Sequence, residues 1–311
     1  IRHYVCRNYL DDCHSIFNSI DRQSISKKIR QTKVGESMKK IVLGFVTLGM
    51  AVSLAACGSK SSSTSSSDSE DKVIKVASQT TPMTDVVKVA AEVAKKDGWD
   101  IQLIQVNDNV AYNDMVASKE ADASFAEHKP FMEKYNSEKG SNLVAIQPIY
   151  DAKVGFYSKD YQSVDDIPSG TKVAIPSDAS NEGRALAILA DYGLITLKDG
   201  VGTDGTVKDI TENPKNFDFL SVDLLNLAEA YSEPNVSMVY NYPTYIAKIG
   251  LKPSDALLLE KTIDTRFSIQ VVAREDNQHS AKIKALKKAM TSEKVKEFLE
   301  KDHSDTLIPS F

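Results

Sequence analysis

Apolar residues along most of this chain fall into short runs of strand length, which alternate with stretches where apolar residues recur at helical spacing. The first series predicts strands at residues 73–77, 101–106, 121–125 and 143–146, and helices that end at Lys96, Ser118 and Lys139. Strands that alternate with helices at this interval form βαβ units and a mostly parallel sheet. This part of the chain therefore predicts an α/β lobe.

A second series begins after the Pro-containing junction at residues 147–151. It predicts strands at residues 172–175, 207–210, 217–220, 236–240 and 267–273, and helices at 182–192, 224–231, 280–290 and 292–301. Two series of similar size, joined by short connections, predict two α/β lobes with a cleft between them. Each lobe is expected to be a mostly parallel sheet flanked by helices.

The first 56 residues depart from this pattern. Residues 1–37 have no sustained apolar period, and we interpret them as a non-native or upstream extension rather than a domain. Residues 38–56 begin with Met38 and two lysines and continue with an apolar run at 41–53, as in a secretory signal peptide. That run is shorter than the roughly 20 residues that a membrane span needs.

Cys57 follows Leu54-Ala55-Ala56, an arrangement that resembles the lipobox of bacterial lipoproteins, in which the Cys is acylated. The alternative is an ordinary cleavage site with a chance Cys. Acyl chains on Cys57 would hold the protein in the lipid bilayer, on the extracytoplasmic face of the cell membrane. Residues 57–71 are rich in Ser and predict a flexible tether, so the folded part should begin near Lys72.

Charge and cysteine content narrow the class of protein further. Residues 57–311 carry 29 Lys and Arg against 39 Asp and Glu, a net charge of −10. Phosphate binding needs a basic face, so this balance argues against nucleic acid as a partner. No cysteine follows Cys57, so the exported part can form no internal disulfide.

Polar side chains lie where predicted strands end, at residues 107–109, Glu127-His128, Asn181 with Arg184, and Asn241-Tyr242. Such positions converge on the cleft of an open α/β sheet. Arg184 lies in the first turn of a predicted helix, where free N–H groups already favour an anion, and its planar fork matches a carboxylate. The alternative is a surface Arg paired with Glu182 or Asp178.

Known catalytic and metal-binding patterns are missing from the sequence. It has no Gly-x-Ser-x-Gly elbow, no Walker loop and no Gly-x-Gly-x-x-Gly fingerprint. After Cys57 the histidines are His128, His279 and His303, without the spacing of a metal site. We therefore expect no catalytic residues, no metal and no cofactor.

Several segments together resemble the methionine-binding lipoproteins of bacterial ABC importers, the MetQ/NlpA family. They are Glu-His-Lys-Pro-Phe at residues 127–131 and the segments 173–186, 211–216 and 272–277. The resemblance runs from about Val73 to the C-terminus. It implies a two-lobed periplasmic-binding-protein fold of type II, with lobe I at residues 72–150 plus 266–311 and lobe II at 151–265.

The resemblance also implies a function and a set of site residues. The lobes would close on a free amino acid and present it to an ABC permease, which works with an ATPase subunit. Arg184 matches the Arg that grips the ligand carboxylate, His128 a pocket His, and Asn241 an Asn of the second lobe. The expected ligand-binding residues are Arg184, His128, Asn241, Asn109, Phe125, Phe131, Glu127 and Tyr245.

Four positions depart from the family pattern. Asn109 and Phe131 stand where Tyr is usual, Ala126 replaces an aromatic residue, and Ile269 replaces an Asn that contacts the amino-acid head group. The ligand is therefore expected to be methionine or a related amino acid, with Glu127 as one candidate partner for the head group. The alternative function is a surface lipoprotein that acts as an adhesin or interaction module on the same fold.

Overall fold

The computed structural model describes residues 71–311, which contain both predicted series of strands and helices. The predicted extension at 1–37, the signal peptide at 38–56, and Cys57 with nearly all of the tether lie outside the described residues. The described residues all belong to one compact unit.

The described strands are β1 (Val73–Ser78), β2 (Asp100–Gln105), β3 (Ala123–His128), β4 (Leu143–Asp151), β5 (Gly155–Tyr157), β6 (Lys172–Pro176), β7 (Thr196–Leu197), β8 (Ile210–Glu212), β9 (Asp218–Val222), β10 (Val236–Asn241), β11 (Leu258–Leu259), β12 (Ile269–Arg274) and β13 (Ile308–Pro309). The described α-helices are α1 (Met83–Lys96), α2 (Ala111–Ala117), α3 (Lys129–Lys139), α4 (Ala179–Asp191), α5 (Leu227–Ala230), α6 (Pro243–Ile246), α7 (Ala281–Met290) and α8 (Glu293–Asp302).

The strands form two main sheets, one for each lobe. The first has the order β13-β4-β12-β3-β1-β2 and the second the order β11-β5-β10-β6-β9, while β7 and β8 form a separate pair. The chain changes sheet between β4 and β5 and again between β11 and β12. We keep the predicted boundaries as the definition of lobe I (residues 72–150 and 266–311) and lobe II (residues 151–265).

The two-lobed α/β fold is confirmed, but both sheets are mixed rather than mostly parallel. In lobe I, β2, β1 and β3 run parallel, whereas β12 runs antiparallel to both β3 and β4. In lobe II, β9, β6 and β10 run parallel, and β5 pairs antiparallel with β10. The antiparallel neighbour in each sheet lies next to a change of sheet along the chain, so the crossovers cause the mixture.

Helix α1 shows how the apolar pattern fixes the packing. Its buried residues include Val86, Val87, Ala90 and Ala94, which lie on one face and pack toward β2 and the terminal helices α7 and α8. Asp85 lies in its first turn and Lys95 and Lys96 lie in its last, which suits the helix dipole. The spacing of apolar residues in the sequence therefore predicted the position of this helix correctly.

Two strands extend beyond their predicted ends. β3 continues through His128 because β12 pairs with it as far as Ile269 opposite His128. β4 continues to Asp151, and Pro148 lies where its ladder with β12 shifts register. Pro cannot donate a ladder hydrogen bond, so such irregularities are where strands accept it. The predicted strand at 207–210 is mostly a 3₁₀ turn, Val207–Asp209.

Asp151 ties together the chain segments that pass between the lobes. Its two carboxylate oxygens accept hydrogen bonds from Ser268 Oγ at 2.5 Å and from Ser310 Oγ at 2.6 Å. Ser268 directly precedes β12, and Asp151 ends β4. The crossover region is therefore cross-linked by hydrogen bonds from two serines of lobe I to Asp151, the first residue of lobe II.

Candidate functional site

The C-terminal end of β3 delivers Glu127 and His128 to the space between the lobes. All six residues of β3 are buried, and His128 also caps the next helix, since the Phe131 N–H donates to His128 Nδ1 at 3.2 Å. Pro130 in the first turn of α3 leaves no helix bond unmade there. The strand-to-helix turn thus holds the imidazole in one orientation.

Helix α4 places Asn181 and Arg184 opposite β3. The helix begins at Ala179, so the prediction that Arg184 lies in its first turn, beside free N–H groups, is wrong: Arg184 lies in the second turn. Asp178 is the N-cap, and its carboxylate accepts from the Asn181 backbone N–H at 3.0 Å. Gly183 allows close packing here, because a Cβ atom at that position would lie 1.9 Å from the carbonyl oxygen of Thr203. The Asn-Glu-Gly-Arg segment therefore combines a capped helix start with a close approach to a neighbouring loop.

Arg184 is buried, with 2% of its surface exposed, and forms a two-point ion pair with Glu260. Its Nε donates to Glu260 Oε1 at 2.9 Å and its Nη2 to Glu260 Oε2 at 2.7 Å. Nη2 also donates to the Ala152 carbonyl at 3.2 Å, and Nη1 to the Tyr242 hydroxyl at 3.1 Å. The alternative of a surface Arg paired with Glu182 or Asp178 does not describe this side chain.

Aromatic rings cover the Arg184 guanidinium. The ring of Phe267 lies 4.5 Å away and that of Tyr242 5.5 Å away, both within cation–π range. Burial works against the charge, but Tyr242, Tyr240 and Glu260 together raise the pKa of Arg184 above its usual value. The guanidinium is therefore a fixed positive group with a fixed orientation.

His128 joins the two lobes as a neutral hydrogen-bond donor. Its Nε2 lies 3.1 Å from Asn181 Oδ1, and Nδ1 already accepts from the Phe131 N–H. Asn181 Nδ2 donates to Asp178, so Asn181 Oδ1 is the acceptor and His128 Nε2 carries the proton. Burial, together with the charge of Arg184, lowers the pKa of His128 to about 3.

A second polar bridge between the lobes runs through Gln79, which follows β1. Its Nε2 donates to Asn109 Oδ1 at 2.9 Å within lobe I, and its Oε1 accepts from the Tyr245 hydroxyl of lobe II at 2.8 Å. With the His128–Asn181 bond, this bridge holds the cleft closed. The Tyr242 hydroxyl donates to the same Asn181 oxygen at 2.8 Å.

Between these bridges lies a narrow cavity of about 30 Å³, room for roughly two water molecules, so the closed lobes leave little free space between the lining residues. Five of the eight predicted binding residues line it: Asn109, Glu127, His128, Phe131 and Tyr245. Most of the remaining lining is aromatic or apolar, including Met83, Tyr112, Tyr150 and Ile269. The chemistry of this lining, rather than the volume of the closed cavity, therefore suits a small molecule with an apolar part.

Three predicted residues lie behind the cavity wall. Phe125 is fully buried and its ring packs edge-on against Tyr150 at 5.8 Å. Arg184 contacts Ala152 and Tyr242, which do line the cavity. Asn241 is fully buried; its Oδ1 accepts from the Tyr242 N–H, and its Nδ2 has no hydrogen-bond partner among the described residues.

Glu127 differs in its environment from every other acidic residue of the site. Asn113 Nδ2 donates to its Oε2 at 2.8 Å, and its Oε1 has no hydrogen-bond partner in the part of the chain that the structure describes. Burial raises the pKa of Glu127 to about 8, although the Asn113 hydrogen bond works in the other direction. Lobe I therefore presents a neutral carboxylic acid to the cavity at pH 7.

Sequence patterns did not indicate Gln79, Tyr150 or Glu260 as parts of the site. Glu260 lies in a connection after the two-residue strand β11, where no periodicity or motif distinguishes it from other surface acids. Gln79 follows β1 at a strand end, and that position was the one clue that could have identified it.

Residues 71–311 include no group of His, Cys, Asp or Glu arranged to hold a metal ion. Their helices are also too short or too polar for any of them to cross a bilayer.

Comparisons with known proteins place this chain among bacterial lipoproteins. The sequence model of the family described as NlpA lipoprotein matches residues 74–311. The methionine-binding lipoprotein MetQ of Bacillus subtilis (strain 168) is 34% identical over 275 residues, which cover 88% of this chain and 99% of that protein. The D-methionine-binding lipoprotein MetQ of Escherichia coli (strain K12) is 32% identical over 248 residues, covering 79% of this chain and 89% of that protein.

Solved structures give the same result. A lipoprotein of the YaeC family from Enterococcus faecalis V583 is 52% identical, covers 78% of this chain and 100% of its own, and superposes with a TM-score of 0.70. A nutrient-binding protein from Burkholderia cenocepacia, solved with methionine bound, is 34% identical, covers 76% of this chain and 100% of its own, and has a TM-score of 0.73. On its sequence and its fold, the chain belongs to the NlpA lipoprotein family.

Proposed function

We propose that this protein is the substrate-binding lipoprotein of an ABC importer, which captures a free amino acid between its lobes and delivers it to a membrane permease. Methionine or a related amino acid is the ligand, and the protein catalyses no reaction. Two relatives that align with this chain over most of their own length are methionine-binding lipoproteins, and one structural neighbour was solved with methionine bound.

The observation that carries this proposal is the closed cavity beside a buried, oriented guanidinium. Four of the five N–H groups of Arg184 have partners within residues 71–311, which leaves one N–H of Nη1 for a ligand. Nη1 also holds the Tyr242 hydroxyl, which lines the cavity. A ligand carboxylate beside Tyr242 would accept a charge-assisted hydrogen bond from this group.

The lining of the cavity supports an amino acid with an apolar side chain. Met83, Tyr112, Phe131 and Tyr150 provide apolar and aromatic surface, as a thioether or a branched side chain requires. Ile269 lines the same cavity and offers no hydrogen bond to a head group. Methionine is therefore one member of the expected ligand class rather than its necessary identity.

The remaining parts of the proposal concern location and partners. Acylated Cys57 and the tether that follows would anchor the protein on the extracytoplasmic face of the cell membrane. The partners are an ABC permease and its ATPase subunits. This arrangement keeps the binding protein close to the permease while the tether lets it move.

Isothermal titration calorimetry of the purified protein against a panel of free amino acids tests this function. We expect heat with methionine or with another amino acid that has an apolar side chain. Heat with a different amino acid and none with methionine would reject methionine as the ligand. No heat with any amino acid would reject the proposed function and favour the interaction module.

A further inference from the structure

Glu127 is a buried acid whose carboxyl group has a hydrogen-bond partner at only one of its two oxygens within residues 71–311. It lines the cavity with 3% of its surface exposed, and its Oε2 accepts from Asn113. Its Oε1 has no hydrogen-bond partner among the residues that the structure describes. No Lys or Arg forms an ion pair with it within residues 71–311. Buried polar groups normally find partners, so this oxygen points to a partner that binds from the cavity.

The groups around Glu127 carry no charge that could serve instead. Tyr112 of α2 and Tyr135 of α3 both interact with its carboxylate, and burial raises the pKa of each phenol, so both stay neutral. His128, the next residue on β3, is neutral because its pKa is lowered to about 3. On β12 the residue opposite Glu127 is the uncharged Gln270.

The charged groups near Glu127 already form a hydrogen bond or an ion pair with other residues. Asp114 of α2 accepts from the Tyr135 hydroxyl at 2.7 Å, and Arg184 of lobe II is paired with Glu260. Ile269, which begins β12 opposite His128, is apolar and lines the cavity next to this position. Among residues 71–311, Glu127 is therefore the one acid at the β3 and β12 end of the cavity, and no opposite charge is paired with it.

We propose that Glu127 is the counter-ion of the ligand's ammonium group. The inference rests on the proposed function and names the ligand class more closely. Lobe I would hold the amino end of the ligand through Glu127, while lobe II would hold its carboxylate through Arg184. Ligands with a free amine and a carboxylate are selected, and analogues that lack the amine are rejected.

Binding should then be coupled to the loss of a proton from the protein. In the free protein the Glu127 carboxyl group keeps its proton at pH 7, since its pKa is raised to about 8. An ammonium group in the cavity favours the carboxylate, so the O–H bond breaks and the proton passes to the solvent. The ligand enters with its ammonium intact and gains the ion pair.

The test is calorimetry at pH 7 on the purified protein in phosphate and in Tris, two buffers with different ionisation enthalpies. The ligands are methionine, or the amino acid that gives the largest heat, and the matching acid without its amino group. The dependence of the heat on the buffer gives the number of protons released per ligand. Wild type should release close to one proton per amino acid and bind the amine-free acid at least tenfold more weakly.

The variant for this test is Glu127→Gln, and the control is Glu120→Gln, which changes an exposed acid of lobe I. Glu127→Gln should release no proton, bind the amino acid at least tenfold more weakly and lose its preference over the amine-free acid. The control should behave as wild type does.

Binding of the amine-free acid by wild type as tightly as the amino acid would overturn the inference, and this measurement does not depend on the variant folding. Equal affinity of wild type and Glu127→Gln, with the preference for the amine retained, would also overturn it. Either result leaves amino-acid binding itself intact. Absence of heat with every amino acid would instead contradict the proposed function and, with it, this inference.

Discussion

The two lobes each bring one buried acid to the site, and the two acids are in opposite situations. Glu260 of lobe II forms two hydrogen bonds with Arg184, so its charge is balanced inside the protein. Glu127 of lobe I has one amide donor and a free oxygen, and its pKa is raised to about 8. A fixed ion pair thus faces a titratable group across the cleft.

This difference gives the two lobes separate roles: lobe II holds a charged group in a fixed orientation, and lobe I has a group that responds to the ligand. Glu260 occupies the Nε edge of Arg184 and leaves only Nη1 toward Tyr242 and the cavity. Lobe II therefore presents a positive group whose direction is set before a ligand arrives, which lowers the cost of ordering it. Lobe I presents a group whose charge depends on what enters the cavity.

The largest effect on folding should come from removing the charge of Glu260. Glu260→Gln leaves the Arg184 guanidinium buried without its counter-ion, and breaking a buried pair in this way costs about 3–5 kcal/mol of unfolding free energy. Urea unfolding followed by circular dichroism measures the loss. Glu233→Gln, which changes an exposed acid of lobe II, is the control and should change stability by about 0.5 kcal/mol or less.

A loss below about 1 kcal/mol for Glu260→Gln would show that the ion pair does not hold Arg184 in place. In that case the proposed difference between the two acids would be wrong, because Glu260 would contribute as little to the free energy of unfolding as a surface acid does.

The largest effect on binding should come from Arg184. Arg184→Ala removes the charge expected to meet the ligand carboxylate, and we expect affinity to fall by about 100-fold or more, about 3 kcal/mol. Calorimetry with the amino acid identified in the panel measures this loss. Arg184→Lys keeps the charge without the planar fork, so it tests the role of the fork in a protein that retains a cation beside Glu260.

Near-unchanged affinity in Arg184→Ala, with circular dichroism like that of wild type, would remove Arg184 from the site. Lobe II would then supply only the wall of the cavity, and recognition of the carboxylate would need another group.

A smaller effect should appear in the pH dependence of stability. Glu127 keeps its proton in the folded protein up to a pKa of about 8, whereas the unfolded chain loses it near the ordinary value of 4.5. Between these values the folded state binds the extra proton, so rising pH lowers the free energy of unfolding by about 1.4 kcal/mol per pH unit. Glu127→Gln lacks this group and should gain stability relative to wild type as pH rises from 5 to 8.

Urea unfolding of both proteins at pH 5, 6, 7 and 8 measures the difference. A constant difference across these pH values would mean that Glu127 is ionised in the folded protein, and the contrast between the two acids would disappear.

Much of the fold could be predicted from the sequence because apolar periodicity and capping residues act locally. Helix α1 lies where the apolar spacing predicted it, and the predicted helix at residues 182–192 corresponds to α4. The ends of β3 and β4 were missed, since β12 extends both strands and comes from a segment more than 100 residues later. Local patterns carry no information about such a partner.

Several residues that line the cavity were predicted from the sequence, but the contacts between residues of the site were not. His128, Glu127, Phe131, Asn109 and Tyr245 do line one cavity, as expected from strand ends and family positions. The pairing of Arg184 with Glu260 depends on a long-range contact, and the free oxygen of Glu127 depends on which donors happen to pack nearby. Neither follows from residue type or spacing.

Native mass spectrometry of the protein as purified tests the central claim most directly. If the closed cleft binds a free amino acid, the spectrum should show one bound small molecule per chain, and denaturation should release an α-amino acid with an apolar side chain. Protein that carries no such molecule, and that gains none when incubated with the amino-acid panel, would contradict the account.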